Sequence, residues 1–570
     1  MKRTKLTKLI ALLLLAALFV GCFAGCKTED PTPVPSDTTQ TQEPPKQEEA
    51  KPEPETPSNG HVDVLRIGTT YQATSYSTMD TNSAYGRMLY NSFCNLNFWS
   101  FDENGQLSSE GCFFRDWEVS EDNTQLTLGF ETEGLSWHDG QPVTADDVMF
   151  TFAYYQKQNY PWFLRITNTE LLDEHTVRLT FDDSYAFSFM NSTTLMYGIQ
   201  PKHIWEKVAD PATYDAEDAA IGCGPYRLVS RDADAQVSYY EAVKDFPLGE
   251  ITVDKVELHS YDTQSSLIMA MQNNEIDVMY GYSASLDTTL LPLVESDPNI
   301  DVGESQNSAT YQIMFGFNQK PTDDLNFRMG VRYALDYQLL SDSLTGGYGH
   351  PANQGAVSPS CLGYVDELPV NARDLEKAAK YLDEGGFVDV DGDGFREMPD
   401  GSPMNVKLQL QNQTDLYKRI AEMLQINLKE AGIRTTVDEE TISNADYAKQ
   451  LRMEGTYEIY ISMTTVGMAS WAGIANYLAD VTITSGQHFG TYADPAYLAA
   501  YNGTLYSSDY DEYVAQFGKI QQLNASDCPG IALAIMQTFY PYRTDRITGW
   551  TNYPAWGVIN PTTWYTAVAK

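Results

Sequence analysis

The sequence predicts an α/β protein built as two or three lobes, on three observations. Its 570 residues are too many for one core and should divide between several. Gly134 to Phe152, GLSWHDGQPVTADDVMFTF, reads as a strand, a tight turn and a capped helix. The same alternation recurs along the chain. VDVLRIG (Val62 to Gly68) and TVRLTF within His175 to Asp182 have the period of strands, whereas Leu416, Ile420, Leu424 and Leu428 have the i+4 spacing of a helix.

In the strand–turn–helix stretch, Trp137 and His138 lead into an Asp139-Gly140 turn. Pro142 and Val143 then approach Thr144, an N-cap with Asp147 at the N3 position of a capping box, so a helix should start at Ala145. Val148, Phe152 and Tyr155 fall at i, i+4 and i+7 and set its inward face. Asp139, Gly140 and Thr144 need do no more than shape the turn and the cap.

Composition narrows the function. With 37 Lys and Arg against 78 Asp and Glu, the chain has no basic surface for nucleic acid or an anionic membrane. Such acidity suits a soluble, exported protein with a solvated surface. Aromatic residues make up 12%, with 37 Tyr, 23 Phe and 9 Trp. Tyrosine and tryptophan supply rigid, amphipathic contact area to peptide and sugar clefts, and also fill cores.

Met1 to Lys8 is basic, Leu9 to Phe19 is apolar, and small residues follow, the layout of a secretory signal peptide over residues 1–25. The run ends FVGCFAGC, which looks like a bacterial lipobox. Cys26 is the expected lipid attachment, because a strongly polar segment starts after it, with Cys22 the alternative. An acyl anchor holds through about 0.8 kcal/mol per buried methylene, so two or three chains are needed. Residues 26–60 are rich in Pro, Thr, Glu and Gln and cannot form a core, which makes them a tether between lipid and folded domain. This places the protein on the outer face of a cell membrane. Cys94, Cys112, Cys223, Cys361 and Cys528 carry neither zinc spacing nor a disulfide framework.

After the first strand, the polar and aromatic loop Thr69 to Thr78 offers Tyr71 and Tyr76 at a strand's carboxyl end, where an α/β lobe meets ligand. Residues 99–221 form a small appended α/β domain, with a short helix at Pro201 to Lys207. In Ile221 to Leu228, IGCGPYRL, the two glycines imply close backbone approach or positive φ. A helix over Ser265 to Asn274 and a strand at Ile276 to Met279 open into Tyr280-Gly281-Tyr282, where both tyrosines should face a cleft. Beyond Asn299 a second large lobe begins. Asn371 is the expected cap of a helix Arg373 to Glu384 that ends at Gly385-Gly386, and a helix Asp415 to Ala431 stops at Gly432 before a strand at Ile433 to Val437.

Asp389, Asp391, Asp393 and Gly394 match the first half of a calcium loop, with Asp400 at its twelfth position. Arg396 and the strand-like Asn405 to Leu410 fit the second half poorly, so a structural hairpin stands beside the weak calcium reading.

Five blocks together resemble solute-binding protein family 5, the extracellular peptide-binding components of ABC importers. They are Trp137 to Val148 (W-x-D-G-x-P-x-T-A-x-D-V), Gly222 to Tyr226, Asn274 to Asp277 (G-x-I-D, with Asn for Gly), Phe327 to Asp336, and Tyr492 to Tyr501. The resemblance implies a periplasmic-binding-protein-like fold (type II, cluster C): two α/β lobes, a hinge and an extra small domain. Lobe I takes residues 62–98, 222–302 and 536–570, and lobe II residues 303–535. It implies a monomer without cofactor that encloses a small molecule and delivers it to ABC permease subunits. Many peptide-binding members carry W-x-A-D-Y-x-D-P, whose first Asp pairs with the peptide α-amine. Here Ser470 to Tyr477 reads SWAGIANY, retaining Trp471 and Tyr477 and lacking the Asp. An ammonium enclosed in a cleft needs a carboxylate, so an oligopeptide ligand is expected with an oligosaccharide as alternative. An extracellular glycosidase is the reading from another class. The sequence has no G-x-S-x-G, H-E-x-x-H or nucleotide loop, and an enzyme is not expected.

Overall fold

Strand β1 (Leu65–Thr69) is buried along almost its whole length, as a strand flanked on both sides should be. The computed structural model to which it belongs describes residues 60–570 apart from 73–75, 78–93, 103–105, 194–196, 212, 282–284, 412–413, 465–477, 481–489 and 554–556. The signal segment, the tether, Cys22 and Cys26 lie outside the described residues.

The chain next forms a small hairpin, β2 (Ser100–Phe101) with β3 (Leu107–Ser108), and then a four-stranded antiparallel sheet. Its strands β4 (Phe114–Val119), β5 (Gln125–Phe130), β6 (Ile166–Asp173) and β7 (Thr176–Phe181) take the order β4-β5-β7-β6. The helix Ala145–Lys157 begins and faces inward as the sequence predicts: Val148, Phe152 and Tyr155 are buried. The Thr144 backbone N–H and hydroxyl both donate to the Asp147 carboxylate, at 2.9 and 2.8 Å.

Ten strands build the main sheet. From β8 (Tyr226–Asp232), β9 (Val237–Ala242), β10 (Lys255–Ser260) and β11 (Val278–Met279) the chain passes to β12 (Ile300–Phe315). It then supplies β13 (Val406–Leu410), β14 (Thr435–Val437), β15 (Ile459–Thr464) and β16 (Gly530–Arg543). Their order is β14-β13-β15-β12-β16-β11-β1-β10-β9-β8.

β12 and β16 form an antiparallel ribbon long enough to belong to both halves. Ile300 to Gln306 pairs with Arg543 to Gln537 beside β11, whereas Thr310 to Met314 pairs with Ile535 to Gly530 beside β15. The register shifts between Gln306 and Thr310, at the crossing from one half to the other. The main sheet is therefore shared by two halves that the ribbon joins. One apolar cluster runs from Leu65 and Ile67 through Trp99, Phe114 and Phe152 to Trp564, joining the small sheet to the β1 half. A separate cluster, with Ile313, Leu408, Leu424 and Ile461, fills the β15 half.

One cap differs from the sequence reading. The helix after Asn371 spans Leu375–Glu384 and is capped by Asp374, whose carboxylate accepts the Lys377 N–H at 3.0 Å. Asn371 is buried, and its amide donates to the Asn353 carbonyl, so it is spent on a distant segment. Helix Asp415–Glu430 ends where predicted, before Gly432 at φ +76°.

Candidate ligand-binding cleft

Strand directions locate the cleft. β1 and β11 run parallel, and β11 opposes β16 at Val278 and Tyr542, so both lead their carboxyl ends toward the middle of the ribbon. In the other half β13 and β15 run parallel, and β15 opposes β12 from Phe315–Ile459 to Thr310–Thr464, which ends at the same place. Loops after four parallel strands, two from each half, therefore converge on the crossing near Gln306 to Thr310. In open α/β sheets such carboxyl ends are where ligands sit.

On the β1 side, Tyr71 follows the strand end directly. Its N–H donates to Thr69 Oγ1 at 3.2 Å and its carbonyl accepts from Ser260 Oγ at 2.8 Å, so the loop backbone is pinned while the ring is half-buried. Tyr76 lies further along, its N–H on the Asp215 carboxylate and its ring 4.1 Å beneath the Arg231 guanidinium. It borders a cavity of about 280 Å³ shared with His138, Arg227 and Arg231. Tyr280 stands at the end of β11 but is only 2% exposed, packed in the apolar cluster of that half. Tyr282, Trp471 and Tyr477 lie outside the described residues.

On the β15 side the strand ends are amide- and hydroxyl-rich. Gln312 donates to Ser462 Oγ at 3.2 Å, and Gln411 accepts the Met463 N–H at 3.2 Å while its own N–H reaches the Ile461 carbonyl at 3.0 Å. Among the described residues, the strand ends at the crossing (Thr69 to Gln72, Met279 to Gly281, Thr310 to Gln312, Gln409 to Gln411, Ser462 and Met463) carry no carboxylate, ammonium or guanidinium.

The motif residues hold the walls in place. His138 joins two of the motif blocks: its N–H donates to the Gly222 carbonyl at 2.9 Å, Nε2 lies 3.1 Å from the Gly224 carbonyl, and Nδ1 accepts the Gly222 N–H at 3.3 Å. That pattern requires a neutral ring, and burial pushes its pKa down to about 4. Both glycines are needed for close approach and neither for positive φ. A Cβ on Gly222 would lie 2.0 Å from the Cys94 carbonyl oxygen, and one on Gly224 would lie 2.6 Å from the Cys94 carbonyl carbon. Asp147, beyond its cap, accepts the Lys202 N–H at 2.9 Å.

Two charged stations were not legible in the sequence. The fully buried Asp277 carboxylate accepts from the Arg66 backbone N–H at 2.9 Å, from its Nη2 at 2.7 Å, and from Arg546 Nη1 at 2.6 Å. In the other half Arg328 reaches the Asp527 carbonyl, at 3.0 Å through Nη2, and Arg332 donates to the Ala525 and Asn524 carbonyls at 2.6 and 2.7 Å. These are among the last carbonyls of helix Tyr510–Asp527, which run short of backbone partners; that of Asn524 also accepts the Cys528 N–H at 3.2 Å. The i, i+4 spacing of the two arginines was a visible signal; their target, nearly 200 residues on, was not.

The acidic loop satisfies itself. Asp389 accepts the Gly392 and Gly394 N–H groups, Asp393 pairs with Arg434 at 2.7 Å, and Asp400 turns to Ser402. The carboxylates that do approach one another are Asp389, Asp391 and Glu397, so Asp393 and Asp400 are not among them. The five described cysteines are all free and buried. Burial pushes the thiols of Cys94, Cys112, Cys223 and Cys361 up to about 12, which leaves them protonated and unreactive. Among the described residues no helix is long and apolar enough to cross a membrane.

Residues 112–482 match the model of the middle region of the bacterial extracellular solute-binding proteins, family 5. Heme-binding protein A of Haemophilus influenzae is 22% identical over 488 residues, covering 79% of this chain and 83% of that protein. The oligopeptide-binding protein AppA of Bacillus subtilis, in complex with a nonapeptide, superposes with a TM-score of 0.66 at 18% identity, covering 89% and 99% of the two chains. A periplasmic oligopeptide-binding protein of Thermotoga maritima with bound mannohexaose gives 0.65 at 20% identity, again over 89% and 99%. At these identities the two structures speak to fold.

Proposed function

The chain belongs to the bacterial extracellular solute-binding proteins of family 5, and on that premise we propose that it captures oligopeptides in the cleft at the ribbon crossing and hands them to an ABC permease. The observation that carries this reading is the convergence of four parallel strand ends, two per half, on one hinge. Ligand touching both halves favours the closed state by population shift, and no chemistry on the ligand is required. The Gln, Thr, Ser and Tyr side chains at those ends suit the amides of a peptide main chain, with Tyr71 and Tyr76 as aromatic walls and Tyr280, Tyr282, Trp471 and Tyr477 as further candidates.

An oligosaccharide is the second reading. It is favoured by the absence of charge at the described strand ends and by the missing Asp between Ser470 and Tyr477. Calorimetry with short peptides and with cello- and xylo-oligosaccharides separates the two; heat with sugars alone rejects the peptide reading. Intact sugar after long incubation removes the glycosidase alternative.

The same proposal places the protein as a monomer on the outer membrane face. Cys26 carries the lipid, residues 26–60 are the tether, and residues 99–221 form a domain appended to lobe I. Labelled fatty acid should enter the wild type and be lost in Cys26→Ala; label retained in that variant moves the attachment to Cys22.

A further inference from the structure

Away from the ribbon the two halves meet a second time. The turn between helices Pro495–Leu505 and Tyr510–Asp527 lies against the small-sheet region, and three successive carbonyls of that turn are received there. Ser188 Oγ donates to the Leu505 carbonyl, Ser184 Oγ to that of Tyr506 at 3.2 Å, and Asn123 Nδ2 to that of Ser507 at 3.0 Å. Leu505 is the last residue of its helix, so its carbonyl is one the helix leaves without an internal partner. The cap comes from the opposite half of the molecule.

Tyr510 completes the seam. Its hydroxyl accepts the Leu107 N–H at 2.9 Å, and its ring stands edge-on to Phe187 with centroids 5.0 Å apart. Asn123 is set for this task. It is 1% exposed and held at φ +55°, and its Oδ1 accepts the Phe187 N–H at 2.9 Å, which aims Nδ2 across at Ser507. The polar contacts are hydroxyl and amide donors on carbonyls, which water replaces at small net cost; beside them Phe101 and Phe187 pack into an apolar cluster with Tyr497, Tyr513 and Phe517, while the ribbon keeps its pairing on both sides of the register shift.

We propose that this seam is a latch: cross-lobe hydrogen bonds made only in the closed form, which set how often the chain closes before ligand arrives. Rotation about the ribbon must break the seam, because the ribbon is where the main sheet passes from one half to the other. The latch rests on hinge closure and is independent of what the ligand is, so its test uses none.

Dyes on unnatural amino acids at the exposed positions Glu170 and Asp511 report the distance across the seam by single-molecule energy transfer in the full chain. The wild type should show a closed population without ligand. Asn123→Asp, which keeps the Phe187 acceptor but turns a donor into a carboxylate facing a carbonyl, should reduce that population about tenfold, and the milder Tyr510→Phe about threefold. If Asn123→Asp fails to fold, Tyr510→Phe with Ser188→Ala carries the test. An unchanged distance distribution in the folded variants, with or without a lowered melting temperature, or a wild type with no closed population, overturns the latch. Failure to bind peptides or sugars would leave it standing.

Discussion

In the half of the sheet around β1 a fully buried carboxylate, Asp277, meets two guanidinium partners, and the buried Arg543 pairs with Asp545; in the half around β15 the buried Arg328 and Arg332 send hydrogen bonds to backbone carbonyls. The two stations flank the same strand. Arg328 and Arg332 hold residues 524–527, just before β16 begins at Gly530, and Asp277 takes the Arg543 N–H on its carbonyl and Arg546 on its carboxylate, where β16 ends. A hinge strand fixed at both ends would flex between them, and of its three partly exposed positions Met536 and Gln537 lie opposite the register shift, Tyr542 near the clamped end. The Asp277 carboxylate and the Arg328–Arg332 pair therefore differ in charge and partners and agree in what they do: each clamps one end of the ribbon.

The contrast can be broken from either side. Asp277→Asn leaves Arg66 and Arg546 against a neutral amide, and because both arginines are partly solvated the cost should be about 4 kcal/mol rather than more, read by denaturant unfolding. Arg332→Met keeps the bulk but strands the Ala525 carbonyl and leaves that of Asn524 with the Cys528 N–H alone, for about 2 kcal/mol. If the clamp account holds, both variants also broaden the interlobe distance distribution. A stability loss without that broadening would reduce the two stations to ordinary core.

A third variant sharpens the comparison with pH, since His138 lies only on the β1 side. Burial depresses its folded pKa to about 4 against an ordinary value of 6.5, so the unfolded chain takes the proton first. The contribution is fully present above pH 6.5 and is lost as pH falls toward 4, about 2 kcal/mol of it by pH 5. His138→Gln should remove that component, seen as a flatter melting temperature between pH 7 and 5 than the wild type shows. His61, whose pKa is raised by its hydrogen bonds to Asp254 and Glu250, acts with the opposite sign in both proteins and cancels in the comparison.

What the sequence disclosed divides by distance along the chain. The Thr144 cap and the inward face of its helix depend on residues three to seven apart, and they were readable. So was the family, because its blocks are local strings. Asn371 was misread as a cap because its partner, Asn353, sits on a segment that no local pattern connects to it. Asp277 was quoted as part of a motif without a role, since its partners lie 211 residues before it and 269 after it. The latch was invisible for the same reason: the Ser507 partner of Asn123 is 384 residues away. Convergence of the strand ends follows from pairing directions, which periodicity does not encode.

The central claim is that two halves joined by the β12–β16 ribbon shut over a small molecule and leave it chemically unchanged. Small-angle scattering of the chain, with and without the peptide or sugar that gives heat, followed by mass spectrometry of the recovered ligand, tests it directly. The account predicts a contraction on binding and an intact ligand. A scattering curve that does not change at saturation, or a cleaved ligand, would contradict it.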